Sequence, residues 1–395
     1  MSDTRLQIER LRVQNYRVLR DVTFKDLTPL TVLCGANGSG KSTVFDVFAF
    51  LHEALTGGLR SAWDDRNRID AIRSRGYGGP VSFEIAYRAP DLVGQVRLVT
   101  YTLKIDQEGT VPVIVSEKLR WSVAPGPGRP TQILNFSRGS GSIYDEESGS
   151  QQEESLASSD LLAVSALGQL RSHPRVKLLR DFIQGWYLSY VSAGETRSTP
   201  RSGPEPRLTR SGDNLANVIQ YLEEEHPDRL ARIFELLSER VPKLESVTPQ
   251  HLEDGRLLLR LKDRPFKEPV LSRFASDGTL KLLAYLTVLH GPTQPEVIGI
   301  EEPENQLHPF LVPILGEEIR EVSGNSQVLV TTHSPEFLSG VRPKELWMLS
   351  RADDGFTVVR RVSDEKPVVA MVEAGATLGA LWSEGYLADA SVGDL

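Results

Sequence analysis

The chain has 395 residues, 39% of them hydrophobic and 25% charged, with a formal net charge of −8. This is the composition of a soluble globular protein, the length fits two or three domains or one large domain with an insertion, and the negative balance excludes a global basic field for nucleic acid. One cysteine, Cys34, excludes a disulfide framework and suits a reducing cytoplasm. No apolar run reaches membrane-spanning length and the N-terminus has no apolar core, so neither a membrane segment nor a signal peptide is expected.

In chain order, Leu6–Val13, Val18–Phe24 and Leu30–Leu33 read as strands. Val44, Phe45, Phe48, Leu51 and Leu55 then recur at helical spacing. Between the third strand and this helix stand Gly35, Ala36, Asn37, Gly38, Ser39, Gly40, Lys41, Ser42 and Thr43, which match G-x-x-x-x-G-K-[ST]. Glycines there let backbone N–H groups turn inward around phosphates. Lys41 is suited to the β and γ phosphates, Ser42 to magnesium, and the following helix points its positive end at the anion.

Residues 57–80 are polar and carry Arg60, Arg66, Arg68, Arg73 and Arg75 among Asp64, Asp65 and Asp70. A meander follows over Val81–Arg88, Val96–Ile105, Val113–Val123 and Thr131–Phe136. The Ser-, Gly-, Glu- and Gln-rich stretch of about 137–160 is expected as a mobile loop. Leu161–Trp186 reads as helical with a break near Pro174. Ser192–Ser211 reads as a loop bearing Arg197, Arg201, Arg207 and Arg210. Asp213 or Asn214 is placed to cap a helix with Leu215, Val218, Ile219 and Leu222 on one face. Pro227 starts a second helix, and Asp254-Gly255 turns a hairpin into Leu257–Leu261.

A polar turn from Arg273 leads into an apolar helix ending near His290, and the short apolar run Val297–Ile300 reads as a buried strand. It ends in Glu301, Glu302, Pro303, Glu304, Asn305, Gln306, Leu307, His308 and Pro309. Adjacent carboxylates at a buried strand end are costly unless a metal and a reacting water use them. With a phosphate loop in the same chain, Glu301 is assigned to magnesium and Glu302 to polarising the water that attacks the γ-phosphate. Phe310–Val322 reads as a helix and Val328–Val330 as a second buried strand, leading to Thr331, Thr332, His333, Ser334 and Pro335. His333 is suited to the γ-phosphate or the attacking water. Ser276, Asp277 and Gly278 precede a helix, where plain N-capping is the simpler reading of these residues alone. A hairpin near Asp353-Asp354-Gly355 and a helix near Leu378–Trp382 close the pattern.

The ordered set of the Gly35 loop, Ser276-Asp277-Gly278, Glu301–Pro309 and Thr331–Pro335 resembles the ATPase heads of the RecF/SMC/OLD class within the ABC superfamily. Its Glu-Glu-Pro-Glu-x-x-Leu-His-Pro form is most similar to OLD-like AAA-type ATPases of bacteria, over nearly the whole chain. The resemblance implies an α/β P-loop NTPase fold, an ABC-type head with a strand-rich insertion and a small helical lobe. An ATPase lobe would cover residues 1–205, the helical lobe 206–265, and the rest of the ATPase lobe 266–395. It also implies a sandwich of two heads around two ATP molecules with Mg2+. Ser276, Asp277 and Gly278 would be the signature reaching the other subunit's nucleotide, His333 the switch histidine, and Asn305–His308 the loop crossing the dimer seam. Glu301 stands where Asp is commoner, and His308 where an aspartate is commoner. For the magnesium-sensing glutamine the candidates are Gln95 and Gln184.

About sixty residues follow His333, too few for a typical compact domain, so the expectation is a head without the nuclease domain of OLD proteins. The function expected is a dimeric ATPase switch acting on a separate effector, a nuclease or toxin, in bacterial anti-phage defence. The alternatives are a RecF-like repair ATPase meeting DNA through Arg60, Arg66, Arg68, Arg73 and Arg75, and a scaffold that holds ATP without turnover. The arginine-bearing loop Arg197–Arg210 is a weaker candidate of the same kind.

Overall fold

The structure, a computed structural model, describes residues 5–91, 94–122 and 130–387. The chain falls into two units. One runs up to Trp186 and includes Lys344–Lys366; the other is Tyr187–Pro343 with the segment from Pro367.

In the first unit an antiparallel sheet has the order Leu19–Phe24, Gln7–Tyr16, Val81–Pro90, Val96–Glu108, Val111–Trp121, Thr131–Ser137, Ser140–Asp145 and Ser150–Ser155. Side chains alternate across a strand, so Leu11 and Val13 share a buried face and stand opposite Ile85 and Phe83. The last two strands lie where a mobile loop was expected. Two features the composition hides specify them. Arg138 and Gly139, both at positive φ, form the two-residue turn between the paired Ser137 and Ser140. Ile143, opposite Leu134, is the one fully buried side chain of the hairpin's outer arms. The strand Ser150–Ser155 is exposed throughout, and its polar composition suits an open sheet edge. The expected strand end at Val123 lies outside the described residues.

Also in this unit, Leu30–Cys34 is buried at every position and pairs in parallel with Leu346–Arg351, Val32 opposite Leu346 and Cys34 opposite Met348. Leu346–Arg351 returns through Gly355 as Thr357–Arg361. The helix Lys41–Thr56 is apolar on most sides and packs Phe50 against Tyr16, Trp63 and Phe83. The polar stretch after it holds two short helices, Leu59–Asp64 and Arg68–Ile72, that bury Leu59, Trp63, Ile69 and Ile72. Pro174 opens the helix Pro174–Gln184 at its first turn, where the missing N–H costs nothing.

In the second unit Tyr187–Ser189, Val297–Glu301 and Gln327–Thr332 run parallel. Parallel strands are covered on both faces, which explains the unbroken apolar run Val297–Ile300. The helix Asp277–His290 is buried from Thr279 to Leu289, and Leu311–Ser323 shows an amphipathic pattern. Residues 206–265 contain the helices Leu215–Glu225 and Pro227–Arg240 and a hairpin, Leu244–His251 with Leu257–Asp263. Asn214 occupies the cap position but its side chain does not cap. Instead Asn214 Oδ1 accepts from Thr209 N–H and Nδ2 donates to Arg207 O, so the preceding loop is what it braces. No helix among the described residues is long and apolar enough to cross a membrane.

Candidate functional site

The phosphate loop lies between the buried strand Leu30–Cys34 and the helix Lys41–Thr56. Gly38 and Gly40 have φ of 79° and 110°, a region where an L side chain is strained. Gly40 is doubly constrained, because a Cβ there would collide with Thr357 Oγ1. That hydroxyl donates to Ser39 O at 2.8 Å, and Arg351 Nε donates to Gly38 O at 2.8 Å, so the hairpin after Leu346 braces the loop tip. Lys41 is only 5% exposed, and its Nζ donates to Gly35 O at 2.8 Å and Ala36 O at 3.3 Å. Ser39 Oγ is buried without a hydrogen-bond partner among the described residues. Ala36, Asn37, Gly38 and Ser42 are exposed. A triphosphate fits these residues: the ammonium is held by exchangeable carbonyl acceptors, an orphan hydroxyl waits inside, and the rim is open. Among the described residues no group of three or more His, Cys, Asp or Glu side chains is arranged to hold a metal. A magnesium ion carried on phosphates needs only one or two protein oxygens.

In the second unit Glu301 is paired with Thr331 across adjacent parallel strands, so the acidic and histidine segments leave the sheet side by side. Glu302 takes φ 43°, unusual for a residue with a side chain, and its N–H donates to Thr331 O at 2.9 Å. This turn sends the Glu302 carboxylate to a partly exposed position, where Asn305 Nδ2 donates to Oε2 at 2.8 Å. His333 is about half exposed, and its Nδ1 lies 3.3 Å from Glu304 Oε1 and 3.7 Å from Glu302 Oε1. A carboxylate beside an imidazole can hold and pass a proton, so Glu302 and His333 form a pair able to handle a water molecule.

Ser276 caps the helix Asp277–His290, its Oγ accepting from Thr279 N–H at 3.2 Å, as the simpler reading expected. Asp277 is ion-paired to Arg197, whose Nη2 also donates to Ala275 O at 2.6 Å. A Cβ at Gly278 would lie 3.5 Å from Gln306 O, ordinary contact distance, so packing against this loop does not demand glycine.

Two residues given no role by the sequence reading complete this site. Lys281 is buried and donates to Asn305 O at 2.6 Å, with Nζ 5.6 Å from the Tyr285 ring centre. Desolvation lowers its pKa to about 8, against the opposing pull of Glu304 and Glu302. Glu304 accepts from Thr332 Oγ1 and His333 N–H. The only signal for either was position: Lys281 one turn inside the helix after Gly278, Glu304 within the acidic run.

The arginines expected to meet DNA are mostly engaged. Arg66 is buried between Asp46 and Glu53, Arg73 pairs with Asp106, Arg68 with Asp64 and Arg60 with Asp160. Asp64 lies nearby in sequence, whereas Asp46 and Glu53 belong to the helix Lys41–Thr56, Asp106 to the strand Val96–Glu108 and Asp160 to a turn. Arg75 is exposed. Of the two glutamine candidates for magnesium, Gln184 stands away from the loop. Gln184 donates to Leu55 O, about 20 Å along the helix from Ser42, and Gln95 accepts from Arg97 at a strand start.

Solved structures share this fold at low identity. A structure described as an SmcHead bound to the C-winged helix domain of ScpA matches 91% of this chain and 98% of its own, with 16% identity and a TM-score of 0.54. An Smc head domain with an extended coiled coil, bound to the C-terminal domain of ScpA derived from Pyrococcus furiosus, matches 93% and 100%, with 14% identity and a TM-score of 0.50. At this identity the likeness shows the fold alone, the α/β P-loop NTPase fold of these head domains. No curated protein matches the chain. One family model matches residues 30–339, a span that runs from the strand before the phosphate loop past the histidine segment. The chain therefore belongs to the ATPase family described as "AAA domain, putative AbiEii toxin, Type IV TA system".

Proposed function

We propose that this protein is an ATP-binding and ATP-hydrolysing switch that works as a dimer and controls a separate effector, a nuclease or toxin, in bacterial anti-phage defence. The observation that carries the hydrolytic part is the left-handed turn at Glu302, which turns one carboxylate out of a buried strand end beside His333. In this reading Gly35–Thr43 bind the triphosphate, with Lys41 on the β and γ phosphates. Ser42 and Glu301 hold magnesium, which when bound supplies charge neutralisation on the phosphates. Glu302 accepts the proton of the attacking water and His333 donates a hydrogen bond to the water or the γ-phosphate.

Dimerisation is supported by the surroundings of the signature residues. Phe274 and Phe310 are 73% and 72% exposed, one just before Ser276 and one just after His308. Large aromatic side chains left in water on both flanks of such a segment suit a surface that a second copy covers. Ser276 and Gly278 would then act on the partner's nucleotide. The family description, which names a toxin of a toxin–antitoxin system, supports the defence setting.

Light scattering on Glu302→Gln with and without ATP and magnesium tests the dimer. Doubling of mass only with nucleotide is expected. A mass that ignores nucleotide rejects the ATP-driven dimer, and bound ATP without phosphate release from the unaltered protein would favour a scaffold.

A further inference from the structure

Glu304 has no task in the hydrolytic scheme, yet its carboxylate is buried and engaged with the histidine segment. Its side chain is 8% exposed. Oε1 takes the Thr332 hydroxyl at 2.7 Å and the His333 N–H at 2.8 Å, and faces His333 Nδ1 at 3.3 Å. Oε2 is buried and has no hydrogen-bond partner among the described residues. A buried polar atom left unpaired is costly, more so when charged, and a residue that merely filled the turn would avoid that cost. The charge has a countercharge nearby in Lys281, which is tied to the next residue through Asn305 O.

We infer that Glu304 is a positioning residue that locks the histidine segment to the catalytic turn, so that His333 and Glu302 move as one piece. The inference rests on the reading of Glu302 and His333 as hydrolytic groups. The lock has two sides. The Glu302 N–H is received by Thr331, and the Thr332 hydroxyl and His333 N–H are received by Glu304, so each turn holds the other. Beyond His333, its carbonyl accepts from Trp382 Nε1 at 3.2 Å, which leaves the histidine backbone fixed on both sides and only the ring free to turn.

The test is steady-state ATP hydrolysis by the full chain and by Glu304→Gln, His333→Ala and the double variant, with ATP affinity measured separately. Gln offers Thr332 and the His333 N–H only a neutral, weaker acceptor and removes the charge facing the imidazole, so it loosens the lock without emptying the turn. Glu304→Gln is expected to lower kcat roughly 10- to 100-fold with affinity within about two-fold. The double variant should be no slower than His333→Ala alone, because a residue acting through another adds nothing once that one is gone. Thr332→Val, which removes one donor and leaves the carboxylate, serves as the second variant. It should lower kcat only when His333 is present. Multiplicative losses in the double variant, or normal turnover in Glu304→Gln, would overturn the inference alone. Normal turnover in His333→Ala would overturn the assignment of His333 and this inference with it.

Discussion

Lys41 Nζ donates to the carbonyl of Gly35, the first residue of its own loop, at 2.8 Å. The ammonium therefore occupies the loop interior with backbone oxygens as its acceptors. Phosphate oxygens carry more charge than these carbonyls and would replace them. Lys41→Met removes that exchange and leaves the loop backbone in place. ATP affinity is expected to fall at least about 100-fold with the unfolding midpoint changed little. Calorimetric titration with ATP and magnesium checks this, and retained micromolar binding would rule out the phosphate assignment.

Glu302→Gln keeps the hydrogen bond from Asn305, since the amide oxygen can take the place of Oε2. It abolishes the base. Loss of kcat by about 10²–10³-fold with unchanged ATP affinity is expected. Rapid-quench measurement of a single turnover separates that loss from slow product release. Parallel loss of binding would mean that Glu302 holds nucleotide instead of activating water.

Trp382 lies on the short helix Leu378–Ser383, which packs closely enough on Pro335–Leu338 that a Cβ at Gly379 would strike Pro335 O. Trp382→Phe deletes the donor to His333 O while keeping the aromatic bulk. The expected outcome is a several-fold lower kcat, unchanged KM, and a stability loss of about 1 kcal/mol. Kinetics and urea unfolding on the same preparation read both, and a change in KM alone would contradict the geometry.

Glu117 gives a pH signature. Desolvation raises its pKa from the ordinary 4.5 to about 7, although Ala163 N–H, Val164 N–H and the Tyr101 hydroxyl all donate to it. Between these values the folded protein holds a proton that the unfolded chain releases. The associated stability is present below pH 4.5 and is lost as pH rises through 7, a span of at most about 3 kcal/mol. Glu117→Gln should flatten that part of the stability profile. Urea midpoints across pH 4.5–8 decide it, and equal slopes in both proteins would refute the assignment.

The pieces legible before folding are those whose information is contiguous along the chain. The Gly35–Thr43 loop, the acidic run from Glu301 and the strand before each were legible because glycine placement, a lysine and apolar runs are local properties. Tertiary structure alone decided which side chains serve those pieces. Glu304 meets His333 only because Val297–Glu301 and Gln327–Thr332 are parallel neighbours in one register. Thr357 braces Gly40, and Trp382 reaches His333, across separations on which local spacing carries no information. The arginines after Gly57 show the converse. Their clustering suggested a basic surface, but a helix, a strand and a turn elsewhere in the chain supply Asp46, Glu53, Asp106 and Asp160 as partners. A charge written in sequence stays available only where folding does not pair it, and pairing is a property of the packed chain.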